Sequence, residues 1–220
     1  MDTGRPAPYH AGQMTTGRGF EIFLATLPGL ETTLQAEAGG KGFRRARAVP
    51  GGVTIEGGWP EVWRANLWLR TAGAVLARIA SFHASHLAEL DRRARLVPWA
   101  ELLRPDIPFR VEASCAGSRI YHSGAAAERI ATAIRATLGA PESPDAELVV
   151  RARLERDICT ISLDTSGEPL HRRGHKQAVN AAPLRETMAS AFLFDCGYAG
   201  AEPVLDPMCG SGTFVIEAAE

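Results

Sequence analysis

Lysine is almost absent from this sequence of 220 residues, which contains only Lys41 and Lys176. Arginine therefore supplies nearly all of the positive charge, and its planar guanidinium group suits phosphate contacts and base stacking. The formal net charge is −1, which excludes a protein that binds nucleic acid through bulk positive charge. Any contact with a polyanion would have to come from local clusters of arginine.

Cysteine is also scarce, and the four cysteines form no Cys-x-x-Cys pair. This scatter argues against a zinc site or a disulfide framework, and it predicts a protein of the reducing cytoplasm without a metal. No apolar run is long enough to span a bilayer, so no membrane contact is expected. Residues 1–18 are rich in glycine, proline and polar side chains and are predicted to be a disordered tail rather than a signal peptide.

Hydrophobic periodicity divides the remaining chain into three parts: residues 19–84, 85–168 and 169–220. The first part has the order β-α-β-β-α-β, which is typical of a ferredoxin-like domain. Its first helix is predicted to begin at Thr26 as a cap. In its second helix Trp59, Trp63 and Leu67 have helical spacing, which favours a position in the core over a role in base stacking.

The second part is predicted to contain two short helices, a strand (FRVEASC), a long helix capped by Ser123 and ended by Gly139, and two more strands. The third part begins with a polar connector. It continues with an amphipathic helix, a buried strand (PVLD), a glycine loop and the start of another helix. One face of the amphipathic helix is predicted from the spacing of Leu184, Met188, Ala191 and Phe192.

The string D-P-M-C-G-S-G-T between the predicted strand and the last helix is the most informative motif. Its glycines would allow the backbone to approach a ligand closely. Gly212 is followed by Thr213 and Phe214 instead of a lysine, which disfavours a triphosphate, and the dinucleotide pattern is incomplete. S-adenosylmethionine, which bears an ammonium, a carboxylate and a sulfonium, fits an acidic strand end with a glycine turn. A simple turn without a ligand remains an alternative.

The strings LHRRGH, APLRETMA and LDPMCGSGTFVIEAA together resemble the corresponding junction of THUMP-domain RNA methyltransferases, and in particular the bacterial 23S rRNA guanine-N2 methyltransferases. FRVEA and SLDTSGEPLHRRGH extend the resemblance upstream. It implies an α+β N-terminal part, composed of a ferredoxin-like domain (19–84) and a THUMP domain (85–168), followed by the beginning of an α/β Rossmann-like methyltransferase domain (169–220). His175 and Lys176 depart from the family pattern, which has an aromatic residue and an arginine there.

The resemblance also implies the ligands. S-adenosylmethionine would be the cofactor, and RNA would be the partner, most simply 23S rRNA, with tRNA as an alternative because THUMP modules also occur in tRNA-modifying enzymes. The cofactor-binding residues would be those of the first loop: Asp206, Pro207, Met208, Cys209, Gly210, Ser211, Gly212 and Thr213.

Two further elements of the family pattern do not occur before Glu220. These are an acidic residue for the ribose hydroxyls and an Asn/Asp-Pro-Pro-aromatic segment that holds the guanine amine. No catalytic residue can therefore be assigned in this chain, which by itself is expected to be inactive. A non-catalytic RNA-binding module is the alternative from another functional class. Residues beyond about Ala181 are also expected to be poorly packed, because a lone strand and helix cannot bury their apolar faces.

Clusters of positive side chains are the candidates for phosphate contacts. Each could instead be an ordinary solvated surface, and the cluster in the connector could pair with carboxylates to brace the domain junction. A further basic group contains Arg92, Arg93 and Arg95. The residues predicted to bind RNA are Arg44, Arg45, Arg47, Arg172, Arg173 and Lys176.

Overall fold

The computed structural model describes residues 19–176 and 183–220. The predicted tail, 1–18, lies outside the described residues. The chain forms two compact units. We call residues 77–167 the central unit, and residues 21–76 together with 168–220 the terminal unit. Sequence order alone does not suggest that the last fifty residues group with the first part of the chain. Among the described residues, no helix is long and apolar enough to cross a bilayer.

The first part of the terminal unit confirms the predicted β-α-β-β-α-β order. Its strands follow the order β2-β3-β1-β4, and β4 continues into the central unit. Alternate residues of β1 and β3 are fully buried, among them Ile22, Leu24 and Ile55, as period-two strands require. The elements are β1 (Phe20–Ala25), α1 (Glu31–Gly40), β2 (Arg47–Val49), β3 (Gly52–Gly57), α2 (Trp59–Trp68) and β4 (Ala74–His83).

The turn before α1 differs from the prediction. The helix begins at Glu31 without a side-chain cap, and the Thr26 hydroxyl donates instead to the carbonyl of Thr71 at 3.1 Å. The Glu31 carboxylate accepts hydrogen bonds from the backbone N–H groups of Gly29 and Gly51, which ties this turn to the β2–β3 hairpin. At Gly52 a Cβ atom would lie 2.1 Å from the carbonyl oxygen of Leu24, so only glycine fits there.

The central unit contains a sheet in the order β4-β7-β6-β5. Strands β5 and β6 are parallel, with Phe109 opposite Leu148, and β6 and β7 are antiparallel. Arg156 and Asp157 have positive φ angles of 51° and 63°, as a tight hairpin turn requires. The elements are α3 (Leu87–Ala94), α4 (Trp99–Leu102), β5 (Phe109–Ala116), α5 (Ser123–Leu138), β6 (Leu148–Glu155) and β7 (Ile158–Asp164).

The long helix α5 packs on β5 and α3 through fully buried residues that include Ile130 and Ile134. Its predicted end is confirmed, because Gly139 has a left-handed φ of 75°. Its predicted cap was one residue off. His122, not Ser123, is the N-cap, and its Nδ1 accepts a hydrogen bond from the N–H of Ala125 at 3.0 Å.

The last part of the terminal unit contains α6 (Glu186–Asp195) and α7 (Thr213–Ala219), which pack on each other. The predicted face of α6 is confirmed at Ala191, which is buried, but not at Phe192, which is 39% exposed. Ala189 and Ser190, which lie outside that face, are buried as well. These small side chains allow close packing against α1 and α7. The expectation of poor packing beyond Ala181 is therefore wrong for α6. In α7 the buried residues are Thr213 and Glu217, and the apolar Val215 is 37% exposed.

The segment PVLD was predicted to be a buried strand, and this prediction is wrong for the structure. Residues 201–206 adopt no strand conformation, and Leu205 is 88% exposed. A strand with this apolar composition needs neighbours on both sides, and the described residues place no strand beside it.

Candidate functional site

The glycine loop adopts a compact, exposed conformation between Asp206 and α7. The Asp206 carboxylate accepts a hydrogen bond from the N–H of Met208 at 3.0 Å, and the N–H of Gly212 donates to the carbonyl of Cys209 at 2.7 Å. Gly210 and Gly212 have φ angles of 54° and 74°, which side-chain-bearing residues rarely adopt. The need for glycine here is therefore conformational.

The end of the loop is fixed by the segment that precedes α6. The Thr213 side chain is buried, and its hydroxyl donates to the carbonyl of Leu184 at 3.3 Å. The Lys176 ammonium donates to the same carbonyl at 2.7 Å and pairs with Glu186 at 3.1 Å. The Phe192 and Phe214 rings stack with centroids 6.3 Å apart. The first residues of α7 are thus held by α6 and its approach.

A buried carboxylate anchors the other end of α7. Glu217 is fully buried, and it pairs with Arg70 at 2.9 Å and with Arg173 at 2.7 Å. It also accepts a hydrogen bond from the Ser190 hydroxyl. Arg173 further donates to the carbonyl of Arg70 at 2.6 Å. Removing one partner from such a network is costly, because a charge is then left buried with fewer partners.

A second buried carboxylate, Glu37 on α1, fixes the backbone at Arg70. It accepts hydrogen bonds from the N–H groups of Arg70 and Thr71, at 2.8 and 3.0 Å, and from the Thr71 hydroxyl at 2.6 Å. The turn at residues 70–71 is therefore held by Glu37 from one side and joined to Glu217 through the Arg70 side chain. We call Glu37, Arg70, Arg173, Ser190 and Glu217 the junction network.

The structure places the residues predicted to bind RNA in two different environments. Arg173 and Lys176 have side chains that are only 14% and 7% exposed and are paired with carboxylates, which agrees with the bracing alternative. Arg172, Arg44 and Arg47 are exposed. Arg45 lies 2.8 Å from both carboxylate oxygens of Glu56, and this hydrogen bonding raises the pKa of Arg45.

Periodicity missed the junction network. Glu217 lies in the string FVIEAAE, where a charged residue between apolar neighbours was the one available signal. Its partner Arg70 is 147 residues away. Within the described ranges, no group of three or more histidine, cysteine or acidic side chains could hold a metal ion.

Three family models match successive parts of the chain. Residues 21–76 match the RlmL ferredoxin-like domain, residues 84–164 match the THUMP domain, and residues 173–220 match the RMKL-like methyltransferase domain. The chain belongs to the THUMP-domain methyltransferases. A curated relative, ribosomal RNA large subunit methyltransferase K/L of Psychromonas ingrahamii, is 36% identical over 204 residues, which are 90% of this chain and 27% of the relative. The chain thus spans about a quarter of that relative's length.

Several solved structures have a similar fold. A predicted N6-adenine-specific DNA methylase from Listeria monocytogenes matches with a TM-score of 0.84 and 30% identity, over 92% of this chain and 55% of the other. TrmN from Thermus thermophilus matches with a TM-score of 0.77 and 27% identity, over 90% and 61%. SMU.472, solved in complex with SAH, matches with a TM-score of 0.82 and 26% identity, over 93% and 56%.

The matched ranges assign the junction network to two domains of this family. Glu37 and Arg70 belong to the ferredoxin-like domain, whereas Arg173, Ser190 and Glu217 belong to the methyltransferase domain. The network therefore joins the helix after the glycine loop to the ferredoxin-like domain inside one compact unit.

Proposed function

We propose that this cytoplasmic protein takes part in transfer of a methyl group from S-adenosylmethionine to RNA, with the N2 amine of a guanine in 23S rRNA as the target. The domain order, ferredoxin-like, THUMP and methyltransferase, is the observation that supports this best. The 36% identity to a ribosomal RNA large subunit methyltransferase favours rRNA over tRNA.

The glycine loop fits the proposed cofactor. Residues Asp206–Thr213 offer backbone N–H groups and a carboxylate, the chemistry that an amino acid moiety with an ammonium and a carboxylate requires. Gly210 and Gly212 leave open space, since a Cβ atom would lie 3.9 Å from its nearest neighbour at Gly210 and 3.6 Å from it at Gly212. The bound cofactor would supply an electrophilic methyl group on its sulfonium. The SAH complex of SMU.472 supports this assignment.

The role of this chain's own residues is to position and to bind. Thr213 and Glu217 fix the helix that follows the loop, so the loop backbone is preorganised and less ordering is required on binding. Arg172, Arg44, Arg45 and Arg47 lie at the surface and would contact RNA phosphates. For Arg173 and Lys176, the proposed contribution to RNA binding is indirect, through the shape of the connector.

Labelled methyl transfer tests this function in the complete gene product that contains these residues. The protein is incubated with tritiated S-adenosylmethionine and, separately, 23S rRNA transcripts, tRNA and duplex DNA, and the digested nucleosides are separated. We expect label in N2-methylguanosine from 23S rRNA. Label only in tRNA would reassign the substrate, label in N6-methyladenine would reject the guanine target, and no label in any nucleic acid would reject the proposal.

Two glycine variants show whether the loop binds the cofactor. Gly212→Ala and Gly200→Ala both place a side chain at a positive φ, 74° and 83°, with no severe clash at either site. The backbone strain is therefore matched. We expect Gly212→Ala to weaken cofactor binding in calorimetry and Gly200→Ala to leave it unchanged. Equal affinities would remove the loop from the cofactor site.

A further inference from the structure

Helix α2 exposes an apolar surface that the sequence pattern had assigned to the core. Trp59, Trp63 and Leu67, here called the α2 stripe, are 37%, 67% and 79% exposed. The residues of α2 that are buried are Val62 and Ala65. The core prediction for the stripe is therefore wrong: the helix packs through small and medium side chains and presents its largest ones to solvent. Exposed apolar surface of this kind is typical of a binding site.

Positively charged residues lie on α2 and near its start. Arg64, on the same helix, lies with its guanidinium carbon 4.9 Å from the centroid of the Trp68 ring and 4.8 Å from that of Phe43. It also donates to the carbonyl of Lys41 at 2.9 Å. Arg44 is close to the start of the helix, because its carbonyl accepts a hydrogen bond from the N–H of Glu56, three residues before Trp59.

The acidic side chains beside this surface are already engaged. Glu56 forms both of its ion-pair contacts with Arg45, and Glu61 accepts a hydrogen bond from the N–H of Gly58 at 2.8 Å. In the described part of the chain, Arg44 and Arg47 form no ion pair. Glu61 keeps its negative charge, but Lys41, Arg44, Arg47 and Arg64 outnumber it. The net charge of these groups is therefore positive, which disfavours a plain apolar protein partner and fits a polyanion.

We propose that the α2 stripe is a stacking surface for unpaired bases of RNA, with Lys41, Arg44 and Arg47 on the flanking phosphates. Aromatic side chains next to arginine or lysine bind single strands in this way, since every base has a π face. A duplex keeps its bases stacked internally, so this surface selects unpaired nucleotides. The inference rests on the proposed function, because it requires RNA as the substrate.

The test compares Trp63→Ala with Trp63→Phe, which retains an aromatic ring, in fluorescence anisotropy with a labelled single-stranded RNA oligonucleotide and a labelled RNA duplex. We expect Trp63→Ala to lose roughly 5- to 150-fold in affinity for the single strand, the range for one stacked base. Trp63→Phe retains most of the affinity, and neither variant changes duplex binding. Phe194→Ala removes an aromatic side chain that is 42% exposed on α6, outside the THUMP domain, and is the matched control, for which we expect no loss of affinity.

Three outcomes overturn the inference. In the first, Trp63→Ala binds the single strand as the unchanged protein does. In the second, single-strand and duplex affinities fall equally. In the third, Trp63→Ala abolishes a self-association seen in sedimentation, which would make the stripe a protein contact. If the unchanged protein binds neither RNA, the proposed function fails as well, so the two failures can be told apart.

Discussion

Two arginine-rich segments that look alike in the sequence have opposite environments in the structure. At residues 44–47 the guanidinium groups lie at the surface, and the one ion pair there, Arg45 with Glu56, is largely exposed. At residues 172–176 Arg172 is exposed, whereas the side chains of Arg173 and Lys176 are only 14% and 7% exposed and are paired with carboxylates. The amino-acid composition of a segment therefore does not tell whether its arginines are exposed, as at residues 44–47, or held in ion pairs between two domains, as at residues 172–176.

The difference lies in what surrounds each charge. An exposed ion pair contributes about 0–1 kcal/mol, so Arg45 could exchange Glu56 for a phosphate at little cost if the proposed RNA contact forms. Breaking a buried pair costs about 3–5 kcal/mol, so Arg173 is committed to Glu217. The burial of each arginine, and not the number of arginines in the segment, therefore decides whether it is held in a structural ion pair or is available for the proposed phosphate contacts.

The largest expected effect is on stability. Arg173→Ala removes two of the contacts that hold Glu217 and Arg70, and we expect a loss of about 3–5 kcal/mol in the free energy of unfolding. That is a large share of the roughly 5–15 kcal/mol typical of a folded domain. Urea unfolding followed by circular dichroism measures it. The neighbouring Arg172→Ala is the control, with a change within about 0.5 kcal/mol; equal stability of the two variants would contradict the bracket.

The next effect is on the salt dependence of RNA binding. Arg44→Ala combined with Arg47→Ala removes two proposed phosphate contacts, so the slope of log affinity against log salt should fall by about 1.4 on single strands. Binding is measured by anisotropy at several salt concentrations. Arg173→Ala, assayed at a temperature where it is folded, should retain the full slope. A slope unaffected by the double substitution would place residues 44 and 47 outside the RNA surface.

The smallest effect concerns pH in the second segment. Burial lowers the pKa of His171, and the nearby charge of Arg185 lowers it further. The unfolded chain therefore takes up this proton first as the pH falls through the ordinary value near 6.5. Stability should decline from there until the pH reaches the lower pKa of the folded state. His171→Gln should remove that part of the decline in urea titrations at a series of pH values. An unchanged decline would show that His171 is protonated equally in both states.

Periodicity predicted most elements of both units, because alternation in β6 and the apolar spacing in α5 report directly on the side that is buried. It failed where burial does not follow hydrophobicity. The α2 stripe has ideal helical spacing, yet spacing shows only that residues share a face and not what covers it. In α6 the small residues Ala189 and Ser190 are buried, and a search for large apolar residues does not find them.

The place of the glycine loop was predictable because its glycines are adjacent in the sequence, and Gly210 and Gly212 have the positive φ angles that glycine allows. The sequence offered bracing by the connector as an alternative but did not identify the partners, because they are far apart in the chain: Arg173 is 44 residues from Glu217, and Arg70 is 147 residues from it. Only the fold brings a connector, a turn after α2 and the last helix together. The assignment of the loop to S-adenosylmethionine and of the exposed arginines to RNA remains a prediction.

The junction network limits which other domains could replace the ferredoxin-like domain in front of the methyltransferase segment. An α-helix advances about 1.5 Å per residue. Because Gly212 and Glu217 are at the two ends of α7, the ion pair of Glu217 with Arg70 also fixes the position of Gly212 along the helix axis. A chimera that joins this methyltransferase segment to an unrelated N-terminal domain would need a cationic side chain that can pair with Glu217 as Arg70 does. Without such a cation, the chimera would still contain the glycine loop, but α7 would no longer be held in the position that sets where the loop lies.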